Sequence, residues 1–152
     1  MDLGNLPTWA FALFFVSIGI FALNILARIS GWTTLADYYG GNARLEGARK
    51  RFQSISMGRN ALTMAHFNNI ATLTVTPAAI ELATFFPFDI ASKPLVIPFS
   101  DLTATRAKRA FLFATVDLRT ARASDVIIRF SQGQIDWIET ERGAALTYDA
   151  AS

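Results

Sequence analysis

Two hydrophobic patterns divide the chain. From Leu3 to Ala27 no residue carries a charge, and between Trp9 and Leu23 only Ser17 and Gly19 interrupt the apolar side chains. Beyond Phe52 the apolar positions fall in short runs, several of them alternating with polar residues as in half-buried strands. The first pattern predicts a helix and the second a mainly-β domain.

A helix from Pro7 to Ala27 is about 31 Å long, which matches the hydrocarbon core of a bilayer. Pro7 suits a first helical turn, where its missing N–H costs nothing. Trp9 sits where an interfacial aromatic belongs. A cleaved signal peptide would want a basic start and a small-residue cleavage site, but the chain starts Met1-Asp-Leu-Gly-Asn5. A buried core helix would normally show a polar face, and this segment has none. The expectation is a membrane anchor over residues 1–29. Arg28, Arg44, Arg49, Lys50 and Arg51 follow it, and no basic residue precedes it. The positive-inside rule then leaves a short N-terminal tail outside and the rest of the chain cytoplasmic.

Small residues Ala12, Gly19 and Ala22 predict a helix-packing side of the anchor, opposed to a bulky phenylalanine and isoleucine side. Asn24 joins these as a candidate for a hydrogen bond to a neighbouring helix, with wetting at the interface as the bland reading. Ser30-Gly31 marks a break. Trp32, Leu35, Ala36 and Tyr39 then repeat at the spacing of one helical face, and Gly40-Gly41 ends it. Two placements stay open for this short helix. It lies in the membrane interface with Arg28, Trp32 and Tyr39 as interface residues, or it packs on the soluble domain. With the basic run to Arg51 it makes a connector over residues 30–51.

The β domain is expected over residues 52–142, with a loosely held tail over 143–152. Thr72–Thr76 and Ile80–Thr84 read as a hairpin around Pro77-Ala-Ala79. Leu95–Ile97, between Pro94 and Pro98, reads as an edge strand. Phe111–Arg119 and Val126–Phe130 are further strands, with weaker candidates at Phe52–Ser56 and Leu62–Phe67. Six or seven short strands at this spacing predict an antiparallel sandwich or partly open barrel. Ile135, Trp137, Ile138 and Glu139 predict a short helix covering one open end.

Composition narrows the chemistry. The chain has 152 residues, formal net charge +2, no cysteine and one histidine, His66. The cysteine count excludes disulfides and thiolate sites. The charge carries no argument for nucleic acid. A lone histidine makes no metal site. Asp101, Asp117, Asp125 and Asp136 read as turn and cap residues, with no acid/base pair among them. No nucleotide or calcium motif is present in the sequence, so no cofactor and no enzymatic activity are expected.

Gly31-Trp32, Leu35-Ala36 and Tyr39, then Leu73–Thr76, Ile80–Leu82 and above all Pro94-Leu-Val-Ile-Pro-Phe-Ser-Asp-Leu102 carry a resemblance. Together they resemble small bacterial single-pass membrane proteins whose cytoplasmic part looks like a pleckstrin-homology or GRAM-type domain. The resemblance covers roughly residues 30–140 and implies that fold, an inner-membrane location and no catalytic residues. Ala78-Ala79 stands where a turn glycine is usual, and the terminal helix is short for the fold.

Two surface features remain. Arg106, Lys108 and Arg109 form a candidate patch for anionic lipid or an acidic partner, with a solvated strand end as the favoured reading. Phe85, Phe86 and Phe88 form an apolar loop that either meets membrane or partner, or plugs the end of the β domain, the plug being slightly favoured. A pleckstrin-type phosphoinositide site would want several basic residues near the first hairpin, where only Arg59 stands out. The expected role is a non-catalytic accessory subunit among other integral membrane subunits. The alternative is a stand-alone adaptor or anionic-lipid-sensing module.

Overall fold

A computed structural model describes residues 7–41, 44–60, 62–109 and 113–149, with the backbone alone at 107–109 and 113. Among the described residues, three α-helices and seven strands follow in the order α1 (Thr8–Ser30), α2 (Trp32–Tyr39), β1 (Ala48–Gly58), β2 (Ala65–Val75), β3 (Ala79–Thr84), β4 (Leu95–Pro98), β5 (Leu102–Arg109), β6 (Phe113–Thr120), β7 (Ile127–Ser131) and α3 (Gln132–Arg142). All strand pairs are antiparallel, in the order β4-β3-β2-β1-β7-β6-β5, and the sheet is nearly closed into a barrel.

α1 is 23 residues long, about 35 Å by its rise per residue, and is apolar enough to cross a membrane. It runs three residues past the expected end because its last turn is inside the fold. Ala27 and Ser30 are buried. Gly31 then takes a left-handed conformation (φ 87°), and α2 begins at once. A Cβ on Gly31 would stand 2.7 Å from a methyl of Val126, so glycine is needed both for φ and for space.

Both ends of the sheet carry a helix. α2 lies where β1 ends and β7 begins: Arg59 donates to Thr34 Oγ1 at 2.8 Å. α3 lies where β1 begins and β7 ends, with Gln134 Nε2 donating to Ser54 O at 3.0 Å. Ser131 caps α3 reciprocally with Gln134, and Gly143 closes it in a left-handed turn. Ile135 and Ile138 turn inward, as their spacing predicts.

The β2–β3 hairpin, the β4 edge and the terminal helix agree with the sequence reading. Several boundaries do not. β1 starts at Ala48, so Arg49, Lys50 and Arg51 belong to a strand and not to a connector. The two candidates at Leu62–Phe67 and Thr72–Thr76 are parts of one strand, β2. Its two halves looked separate because Asn69 (φ 57°) breaks the alternation at a bulge facing Ser54. β5 was read only as a basic strand end; its alternation of Leu102 and Ala104 with threonines is short. Phe111 and Leu112 lie outside the described residues. The tail is not loosely held through Asp149. Leu146 is buried, Ala104 donates to Thr147 O at 2.8 Å, and Asp149 N donates to Ala104 O at 2.9 Å. That segment covers part of the β5 edge.

Gly31→Ala is expected to cost about 1–3 kcal/mol from backbone strain, with the Val126 contact adding to it. Gly133, in α3 with open space around its Cβ position, supplies the control: Gly133→Ala should stabilise by about 0.4–1 kcal/mol. Thermal unfolding of the detergent-solubilised chain measures both.

Candidate functional site

The junction between α1 and the barrel organises the surface features. Trp32 is fully buried against Phe67, ring centroids 5.4 Å apart, and its indole donates to Lys93 O at 2.8 Å. Ser30 Oγ donates to Ala27 O and accepts from Trp32 N. Tyr39 is buried at the other end of α2, donating to Asp101 Oδ2 at 2.8 Å and accepting from Arg122 N at 3.3 Å. Trp32 and Tyr39 therefore face the barrel core. Of the two placements open to this helix, packing on the domain is the one found. Burial was hidden from sequence because an interfacial helix and a docking helix share one amphipathic pattern.

α1 has two distinguishable sides. Leu26 and Ala27 pack on the barrel, and Ser30 continues that side. At 3.6 residues per turn, Ala12 and Gly19 lie above this side and Ala22 just beside it. Asn24 lies about 140° around from Gly19, so it does not share the small-residue side. It lines a shallow groove with Ser17, Phe21 and Arg28, and its amide donates to Ile20 O at 2.8 Å. Ser17 also bonds its own helix, donating to Leu13 O. Trp9 and Arg28 are exposed at opposite ends of the helix.

The loop from Phe85 to Pro94 returns to this junction. Its turn Phe88–Ile90 packs against α1, and Ala91 and Leu26 both pack on the core. Phe85, Phe86 and Ile90 are exposed, Phe86 at 74%, so the loop does not plug the barrel. α2 and α3 occupy the openings instead. Phe85 meets Phe88 and also Phe52 edge-on, at 5.9 and 5.8 Å. Phe52 was read as a strand start; its φ of 56° at a register shift in β1 throws the ring outward, 64% exposed. Nothing local in the sequence signals that.

The basic patch separates from this region. β5 begins beside Thr120 near α2 and runs toward α3. Arg106 stands over the Tyr148 ring, 4.9 Å from its centroid, as part of the tail packing. The Lys108 and Arg109 side chains lie outside the described residues.

One polar row crosses the outer face of four strands. His66 in β2 pairs with Ser56 in β1, Ser56 with Arg129 in β7, and Arg129 with Asp117 in β6. His66 Nδ1 and Ser56 Oγ are 2.7 Å apart. Arg129 grips Asp117 with two bonds of 2.7 and 2.8 Å, the side chains only 11% and 13% exposed. That hydrogen bonding raises the Arg129 pKa above its ordinary value, so its guanidinium stays charged. A hydrolytic dyad needs an acid to orient its base. Among the described residues no carboxylate bonds to His66. Among them, too, no three His, Asp or Glu side chains gather as a metal site. Glu81, buried in β3, accepts from Leu45 N at 2.8 Å and pins the segment before β1.

Burial first, and then the bond to Asp101, raise the Tyr39 pKa; burial and Glu139 do the same for Tyr148. A raised folded-state value means that the protonated phenol is favoured in the fold. Its contribution is complete below the ordinary tyrosine pKa near ~10 and is lost as pH rises through the raised value. The parent chain should therefore lose stability above about pH 10. Tyr39→Phe should be weaker at neutral pH by roughly 1–3 kcal/mol and lose less on the alkaline side. Melting curves across that range decide it.

No protein-family model matches the chain, and no curated protein sequence matches it.

Proposed function

We propose that the chain is a non-catalytic, single-pass membrane protein that serves as an accessory subunit of a larger membrane protein complex. The observation that carries this reading is the joint itself. The last turn of α1 is part of the barrel core, and one residue, Gly31, separates it from α2. A span joined this way holds its domain at one angle to the bilayer. That suits a bracket between a neighbour's span and its extramembrane part better than a tethered domain that must search for soluble partners.

Other features support the same reading. A cleavable leader passes the same length and hydropathy test as α1. A leader, however, would not contribute Ala27 and Ser30 to a folded core. The small residues Ala12, Gly19 and Ala22 sit on or beside the side above the domain, so a helix packed there would stand over the barrel. The basic residues after α1 favour a cytoplasmic domain, and the resemblance favours a bacterial inner membrane. A four-strand meander, a three-strand meander and a closing helix agree with a pleckstrin-homology or GRAM-like domain. The anionic-lipid sensor is less well supported, because Arg106 is engaged by Tyr148 far from the α1 junction.

The test is affinity purification of the C-terminally tagged chain from gently solubilised native membranes. A stoichiometric set of integral membrane subunits is expected. Gly19→Ile should release that set without unfolding the chain, since nothing lies within 4 Å of the Gly19 Cβ position. A chain that runs only as a small free species would sink the proposal.

A further inference from the structure

We infer that the loop Phe85–Ile90, with Phe52, is a second membrane contact, seated in the interfacial layer of the leaflet from which α1 emerges. The inference rests on α1 spanning the bilayer, and it adds a ligand for a surface that the accessory reading leaves bare.

Four apolar side chains make the patch. Phe86 is 74% exposed, Phe52 64%, Ile90 51% and Phe85 40%. Phe52, Phe85 and Phe88 meet ring edge to ring face, so these three rings form one cluster across β1 and the loop. A bulky residue at φ 56° carries backbone strain, and such strain collects where it serves a site. Here it turns one more aromatic ring outward beside Phe85, when the cheaper backbone would leave the strand regular.

The occupant follows from continuity with the span. The Phe88–Ile90 turn packs against α1, and the far end of the loop is tied to the α1–α2 joint through Trp32 Nε1 and Lys93 O. On α1 itself, Ile25 and Ile29, in its last two turns, remain exposed. A bilayer crossed by α1 therefore ends beside the loop. Bulky aromatic rings bury apolar surface in the interfacial layer while their backbone stays near the headgroups. Lys93, exposed at the far end of the loop, and Arg28, exposed in the last turn of α1, are basic side chains available to lipid phosphates, and Asp89 is the only acid between Phe85 and Pro94. With α1 as one fixed point and the loop as a second, the barrel can neither roll nor tilt about the helix axis.

The chain has no cysteine, so single cysteines can be labelled in the full-length protein. Phe86→Cys, Phe14→Cys and Glu141→Cys, each carrying an environment-sensitive fluorophore, are reconstituted alone into nanodiscs of phosphatidylcholine and phosphatidylglycerol. Lipids brominated at shallow or deep acyl positions act as quenchers. Melting curves matching the parent establish that each variant is folded. The expected result is deep quenching at 14, shallow quenching at 86, and none at 141 on the exposed side of α3. Deep quenching at 14 with an unquenched, water-exposed label at 86 overturns the loop contact and leaves the span standing. A label at 86 shielded from aqueous quencher but untouched by brominated lipid assigns the loop to a protein contact and also overturns it. An unquenched label at 14 overturns both the span and the loop contact.

Discussion

The burial of Trp32 is the constraint on which the rest of the molecule depends. Its ring fills the barrel end beside Phe67, and its one polar atom is satisfied by Lys93 O. A buried indole without that bond would carry the cost of an unmet donor. To deliver the ring there, α1 must turn sharply, and the turn is a single left-handed glycine wedged against Val126. The helix, the β3–β4 loop and the β6–β7 loop are thus fixed to one another by one side chain and one backbone angle.

That joint changes what the long helix is for. An apolar helix on a flexible tether only confines a domain to a surface. Here the final turn is shared between helix and core, so the orientation of one sets the orientation of the other. The side of α1 bearing Ala12 and Gly19 continues the side that packs on the barrel, whereas Ser17, Asn24 and Arg28 look the other way. Any helix on the small-residue side must share space with the domain beneath it. The opposite groove has no such restriction.

The barrel is held by ordinary means. Alternating residues of both meanders fill its interior, and one largely buried Arg129–Asp117 pair ties β6 to β7 on the outside. Removing one partner of such a pair would leave an uncompensated charge, which is why it reads as a clamp within the fold. The Ser56–His66 contact lies in the same row and has the geometry of a strand-to-strand hydrogen bond. The tail beyond α3 pairs with β5 and shields part of an edge that would otherwise present free backbone groups.

Elements whose signal is local were legible in the residues alone. The charge-free run through Ala27, the alternation of Thr72–Thr76 into Ile80–Thr84, the proline-bounded Leu95–Ile97 and the spacing of Ile135 and Ile138 each have a helix or strand among the described residues. Periodicity and breakers act within a few residues, so they survive without knowledge of neighbours. Which way a shared pattern faces came from long-range packing. Trp32 and Tyr39 are equally at home in an interface or a core, and the core won because Phe67, Lys93, Asp101 and Arg122 meet them there. Phe85 and Phe86 became surface because α2 and α3 had already closed the barrel. Arg106 stands over the ring of Tyr148, forty-two positions on. Each of these outcomes depends on contacts between residues far apart in the chain, which no window of sequence contains.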